Sequence, residues 1–198
     1  MMICDTPPFV FIAIPKTGTR TIYNFLENTY KVKLIEDHLI NVPALFSDRY
    51  TFTVVRNPYD RICSAWWSTC MRGKDRYGYI KKFNEYGLPN SLLSFLIVIQ
   101  NKFEGVNYLP TINQSRYLKD NRIDHIIRFE NFNEGLNSLK FVNEDVVLNN
   151  LNATTLITEN NSTKRPDWSE LVCSRSIMMI NEIYNEDFYL LNYDMLLR

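Results

Sequence analysis

Short apolar runs alternate with amphipathic segments along the 198-residue chain. β-branched and aromatic residues dominate positions 9–14 and 50–55, and each run has the length and composition of a buried strand. A polar turn follows each run, and a segment with apolar residues at helical spacing follows each turn. This alternation of strands and helices predicts an α/β fold in which a P-loop-like parallel sheet is flanked by helices.

The rest of the pattern predicts further elements and one domain. A length of 198 residues with 45% hydrophobic content suits a single domain spanning residues 1–198. The other expected elements are strands at 33–35 and 124–129, helices at 39–46, 91–102 and 169–184, and a polar, Asn- and Thr-rich surface loop at 149–166.

The segment after the second apolar run carries clear signals of a helix start. Asn57 can cap the helix, Pro58 suits its first position, and Asp60 lies in the first turn, where the helix dipole favours an anion. Arg61, Ser64 and Ser68 share the polar side of this helix. The opposite face is predicted to be buried core, rather than a platform for an adenine ring, and consists of Tyr59, Ile62, Cys63, Trp66 and Trp67.

The turn at residues 15–21, Pro-Lys-Thr-Gly-Thr-Arg-Thr, has the composition of a phosphate-binding loop. Gly18 lets the backbone turn tightly, and the first amides of the following helix lack intrahelical partners. Lys16 adds a full positive charge. The other candidate ligands are the side chains of Thr17, Thr19, Thr21 and Arg20. The alternative for Arg20 is a solvent-exposed residue in the first turn of the helix.

The residue that ends the second apolar run distinguishes two kinds of phosphate site. Nucleotide triphosphatases place a magnesium-binding aspartate there, whereas this chain has Arg56, which suits bidentate binding of a phosphate. The alternative is a structural ion pair between Arg56 and Asp60. The pattern therefore predicts a site for a phosphate-bearing ligand without a metal ion.

Composition excludes several partners. Twenty-two basic and twenty-two acidic side chains cancel, so no net charge attracts the protein to nucleic acid or to an anionic membrane. The four cysteines lack CxxC spacing, which argues against a zinc site or a disulfide framework. Residues 1–8 do not resemble a signal peptide, and the apolar stretch at 92–99 is too short to span a bilayer. We therefore expect a cytoplasmic protein.

The two strand-turn-helix segments together resemble the sulfotransferases that use 3′-phosphoadenosine-5′-phosphosulfate (PAPS). The resemblance is to the carbohydrate-type branch that includes the heparan sulfate 2-O-sulfotransferases. In that branch a Pro-Lys-Thr-Gly-like loop holds the 5′-phosphosulfate, and an Arg-(Asn/Asp)-Pro strand end with a serine eight residues later holds the 3′-phosphate. The matching positions are residues 15–21, Arg56 and Ser64, an Arg-Phe-Glu-Asn turn within 123–132 and a Tyr-x-x-Asp-Phe ending within 183–194.

The resemblance implies a function and further site residues. The activity would be transfer of a sulfuryl group from PAPS, with release of PAP, to a hydroxyl of a small molecule or saccharide. Lys16 would stabilise the leaving oxygen, and His38, expected near the phosphate loop because it follows the short second strand, would be the general base. Glu36 and Asp37 are alternatives for that base. Lys164 is similar to a late basic residue that closes over the 3′-phosphate, although an exposed charge is the commoner explanation for such a residue.

Two other functions stay open from the sequence alone. A P-loop kinase of small molecules would normally place its lysine after the glycine and keep an acidic metal ligand, whereas Lys16 precedes Gly18. A non-catalytic nucleotide-binding module would keep the fold but lack the chemistry. An aromatic and basic stretch at 74–86 has the composition of a saccharide-binding surface, but an amphipathic segment that covers the core has the same composition.

Overall fold

Five strands form one mixed sheet in the described part of the chain, which in this computed structural model comprises residues 1–72, 75–143 and 165–197. Their order across the sheet is β3-β1-β2-β4-β5. The strands are β1 Met2–Asp5, β2 Pro8–Ile12, β3 Val32–Leu34, β4 Tyr50–Val55 and β5 His125–Arg128.

Four of these strands run in the same direction. β2 pairs with β4 and β4 pairs with β5 in parallel, whereas β1 pairs antiparallel with both β2 and β3. The predicted α/β fold with a largely parallel sheet is therefore confirmed. The sequence pattern did not indicate β1, because a four-residue strand one tight turn before β2 is too short to show a periodicity.

The described residues form nine α-helices. They are α1 Thr19–Thr29, α2 Pro58–Trp66, α3 Tyr79–Glu85, α4 Leu92–Asn101, α5 Ser115–Leu118, α6 Phe132–Asn137, α7 Trp168–Leu171, α8 Ser174–Ile183 and α9 Asn185–Leu191. Short 3-10 turns occur at Ala44–Phe46, Leu109–Thr111 and Phe129–Asn131, and a π-helical turn at Trp67–Met71 extends α2.

The chain divides into two compact units. The first comprises residues 1–56 and 114–164 and contains the sheet with α1, α5 and α6. Alternate side chains of β2, Phe9 and Phe11, join a core with Ile22 and Phe25 of α1. The intervening β2 residues, such as Val10, are also fully buried, which is typical of a central strand.

The second unit comprises residues 57–113 and 165–198 and is helical. The helix start predicted at Asn57 is confirmed, since its side-chain oxygen accepts the Tyr59 N–H at 2.9 Å and Pro58 is the first helical residue. The apolar face of α2 lies in the core, Trp66 included. Arg61, however, is only 1% exposed, so its expected place on a polar side is wrong.

Two predicted helices differ from the structure. Residues 39–46 contain only the 3-10 turn Ala44–Phe46, because Pro43 comes before that turn and cannot lie inside a helix. The helix predicted at 169–184 is divided at Cys173, which caps α8. The loop predicted at 149–166 lies almost wholly outside the described residues.

Two predictions about the whole chain can be compared with the structure. Within the described ranges no helix is both long and apolar enough to cross a membrane. The four cysteines, all of which lie in described segments, are free thiols.

Candidate active site

The loop between β2 and α1 makes a tight turn into the helix. Gly18 is the N-cap of α1 and has φ 88°, in the left-handed region that glycine adopts without steric cost. Its carbonyl accepts the N–H groups of Thr21 at 3.0 Å and Ile22 at 3.2 Å. The first turn of α1 therefore begins directly at the loop, where its remaining amides and dipole favour an anion.

The loop hydroxyls bond to the loop's own backbone. Thr17 and Thr19 both donate to the Ile14 carbonyl, at 2.9 and 2.8 Å. Thr17 and Thr21 are buried, whereas Arg20 is exposed. The bonds to Ile14 hold the loop in its shape, and the predicted roles of Thr17, Thr19, Arg20 and Thr21 as phosphate ligands stay predictions.

Four residues other than glycine adopt positive φ in the described part of the chain. Lys102 and Asn192 are the C-caps of α4 and α9, where this conformation is common. Lys16 (φ 70°) and His38 (φ 55°) end no helix. Strained backbone of this kind concentrates at functional sites, and here it marks the two residues that the sequence nominates for catalysis.

His38 lies against the start of the phosphate loop, as its position after β3 predicted. Its Nδ1 is 2.8 Å from the Ala13 carbonyl oxygen, directly after β2. Its Nε2 is 3.5 Å from Oδ1 of Asp37. The same oxygen accepts the Tyr23 hydroxyl of α1 at 2.9 Å. Both ring nitrogens therefore face groups tied to the elements that flank the loop, while the role of His38 as the base stays a prediction.

Arg56, at the end of β4, contacts the same loop. Its Nη1 donates to the Lys16 carbonyl at 3.2 Å, and its guanidinium carbon lies 4.1 Å from the centre of the Phe129 ring. The side-chain amide of Gln114 holds the Arg56 backbone on both sides, with two 2.9 Å bonds to its N–H and its carbonyl. The fold therefore brings Lys16 and Arg56 together, with the Arg56 backbone fixed.

Two other positions that the sequence singles out, Asp60 and Ser64, lie on α2 of the helical unit. Ser64 is half-buried on α2, and Lys164 lies outside the described residues; their predicted roles at the 3′-phosphate stay predictions. Asp60 accepts a bond from the guanidinium of Arg165, so an ion pair at this helix start is made by Arg165. In the stretch at 74–86, Tyr79 and Phe83 are buried core, which favours the structural interpretation for those two.

Sequence reasoning missed several groups around the loop. The Ala13 carbonyl and the Tyr23 hydroxyl were not nominated, because a backbone acceptor and one tyrosine on a helix carry no local signal. Gln114 and Phe129 are far from Arg56 in sequence, and only the fold brings them beside it. His125 lies on the edge strand β5, with its Nε2 3.1 Å from the Ser138 hydroxyl oxygen.

Gly18 gives a direct test of the loop geometry. A Cβ added at Gly18 would lie 3.0 Å from Cε2 of Phe129 and would also carry the cost of a positive φ. We expect Gly18→Ala to lower the free energy of unfolding by about 2–4 kcal/mol, from left-handed strain plus overpacking. The measurement is urea unfolding.

Gly105 is the matched control for that test. It has φ 77°, and a Cβ there would meet nothing within 4 Å. Gly105→Ala should therefore lower the free energy of unfolding only by the strain of a positive φ, roughly 1–2 kcal/mol. Equal losses in the two variants would show that the contact with Phe129 does not constrain the loop.

Comparison with known proteins agrees with this geometry. A family model described as the sulfotransferase family matches residues 1–194, a range that includes the whole loop, both strand ends and His38. The searches of curated proteins and of solved structures each gave no significant match. Because the family model covers nearly the full length, the chain belongs to the sulfotransferase family.

Proposed function

We propose that this protein transfers a sulfuryl group from PAPS to a hydroxyl group, with a carbohydrate as the acceptor. Membership of the family supports sulfuryl transfer in general. The observation that supports transfer to a hydroxyl is the contact between His38 and Ala13, because a candidate base then lies at the same loop as Lys16. Hydroxyl acceptors need such a base.

The donor would be held by its two phosphorylated ends. The loop amides after Gly18 and the charge of Lys16 suit the 5′-phosphosulfate, with Thr17, Thr19, Arg20 and Thr21 as further donors. Arg56 suits the 3′-phosphate because its guanidinium lies beside the loop, with Ser64 and Lys164 as the other proposed ligands. Binding of the donor in this arrangement requires no divalent ion.

The transfer itself needs positioning and charge stabilisation. The acceptor hydroxyl gives its proton to Nε2 of His38, and its oxygen forms a bond to sulfur. The bond from sulfur to the bridging oxygen breaks, and the electron pair stays on that oxygen as PAP leaves. Lys16 stabilises the negative charge that develops there, by the same logic as phosphoryl transfer.

Binding of PAP without magnesium tests the donor site. With PAP at about 100 times its dissociation constant, we expect the melting temperature to rise by roughly 5–10 °C in EDTA. Lys16→Ala and Arg56→Ala should abolish the rise, each judged against its own melting temperature without ligand. Lys31→Ala, which removes an exposed lysine of the same unit, is the control and should keep it.

Turnover tests the reaction. Incubation with radioactive PAPS and a library of saccharides should label at least one acceptor, with mass spectrometry showing the added sulfate. PAP binding without labelling of any saccharide or small-molecule hydroxyl would contradict the activity and favour a binding module. Magnesium-dependent ATP binding that displaces PAP would favour a kinase.

A further inference from the structure

The geometry points to Asp37 as a positioning residue for His38. We propose that the Ala13 carbonyl holds the proton of the neutral ring on Nδ1, so that Nε2 is the basic nitrogen. Asp37, anchored by Tyr23, then stabilises the proton that Nε2 receives in the transfer step. This inference rests on the proposed role of His38 as the general base.

The tautomer follows from the chemistry of the Ala13 contact. A carbonyl oxygen only accepts hydrogen bonds, so the 2.8 Å contact requires the proton on Nδ1. The neutral ring then has its lone pair on Nε2. Free histidine favours the opposite tautomer, so the protein must impose this one. The side chain of His38 is 18% exposed, which leaves the ring accessible to an acceptor.

Tyr23 fixes the position of Asp37. Burial and the bond to Asp37 raise the pKa of Tyr23, so its hydroxyl keeps its proton and remains a donor. The Tyr23 ring packs edge-on against Phe11 of β2, with 5.9 Å between ring centres, so the hydroxyl is held by the core of the sheet. The bond from Tyr23 therefore fixes the position of the Asp37 carboxylate, although most of that side chain is exposed.

The distances assign Asp37 a role other than that of the base. Its Oδ1 already accepts the Tyr23 hydroxyl, and the same oxygen is 3.5 Å from Nε2 of His38. No hydrogen bond exists at that distance while the ring is neutral. Once Nε2 carries the proton of the acceptor, opposite charges lie side by side, which lowers the energy of the charge that develops on the ring during the transfer step. Because Asp37 is largely exposed, solvent weakens this effect.

Nitrogen-15 NMR tests the tautomer without any activity assay. The chain has two histidines, so His125→Gln leaves His38 as the one imidazole to observe. Long-range proton–nitrogen spectra of the neutral ring should show Nδ1 protonated and Nε2 unprotonated. A proton mainly on Nε2 would overturn the proposal, whether or not the protein transfers sulfate.

Kinetics test the role of Asp37. We expect Asp37→Asn to lower kcat about tenfold while the KM for PAPS stays unchanged, and Tyr23→Phe to lower kcat by a smaller factor. Asp48→Asn, the same chemical change at an exposed site, should leave both constants unchanged. An unchanged kcat in Asp37→Asn, in an enzyme that needs His38, would overturn the inference and leave the proposed function standing.

Discussion

Replacement of His38 by asparagine is expected to lower kcat by about 10²–10⁴-fold while the affinity for PAP stays the same. Asparagine tolerates the positive φ of this position and can donate to the Ala13 carbonyl, but it cannot take a proton from the acceptor. The loop proposed to bind the donor should keep its shape. Initial rates at saturating PAPS, with a PAP melting-temperature shift, measure both quantities.

Lys16→Ala, in contrast to His38→Asn, should change both kcat and the affinity for PAP. Because Lys16 is proposed to bind the donor and also to stabilise the leaving oxygen, its loss should weaken PAP binding and lower kcat by roughly 10²–10³-fold. A His38→Asn enzyme that kept more than about a tenth of the activity would exclude His38 as the base. Glu36 would then be the next residue to replace.

The loop could be predicted because its determinants are local. A strand, a glycine and a helix start lie within one short stretch, and the positive φ of Gly18 is what a tight turn before a helix requires. His38 was placed beside the loop by topology, since strand ends in an α/β sheet meet at one edge. Local chemistry plus that one rule located both proposed catalytic residues.

The supports of the site could not be predicted because they depend on tertiary contacts. The side-chain amide of Gln114, 58 residues after Arg56, makes the hydrogen bond to the Arg56 N–H that a neighbouring strand would otherwise make. Phe129 packs on the Arg56 guanidinium and limits the space at Gly18. Nothing in the residues around either position indicates such a contact. Only the pairing of β4 with β5 brings Phe129 to this place.

Arg61 shows how helical periodicity fails for a charged residue. Periodicity put Arg61 on the polar side of α2, but a charged residue can be buried when its polar atoms find partners. Its guanidinium donates to the Ile112 carbonyl and lies 5.8 Å from the centre of the Tyr184 ring. The side chain is therefore part of the helical core.

We expect Arg61→Leu to lower the free energy of unfolding by about 3–5 kcal/mol. Asp187 is fully buried in the same unit, and Arg61 and Asp187 both act electrostatically on Tyr184. Removal of the guanidinium takes this donor from the Ile112 carbonyl and removes a positive charge from the unit whose core also contains Asp187. Urea unfolding followed by tryptophan fluorescence measures the loss. Arg175→Leu, at an exposed position, should change stability by less than about 0.5 kcal/mol.

The double variant Arg61→Leu/Asp187→Leu separates loss of charge balance from loss of packing. If the two buried charges depend on each other, the double variant should be less destabilised than the sum of the single variants, by about 1–3 kcal/mol. Tyr184, whose hydroxyl donates to the Thr111 carbonyl at 2.9 Å, would then share one buried polar cluster with them. The tyrosine and the aspartate of the Tyr-x-x-Asp ending would then have a structural role in the core. Strict additivity would contradict this dependence and leave Arg61 as a packing residue.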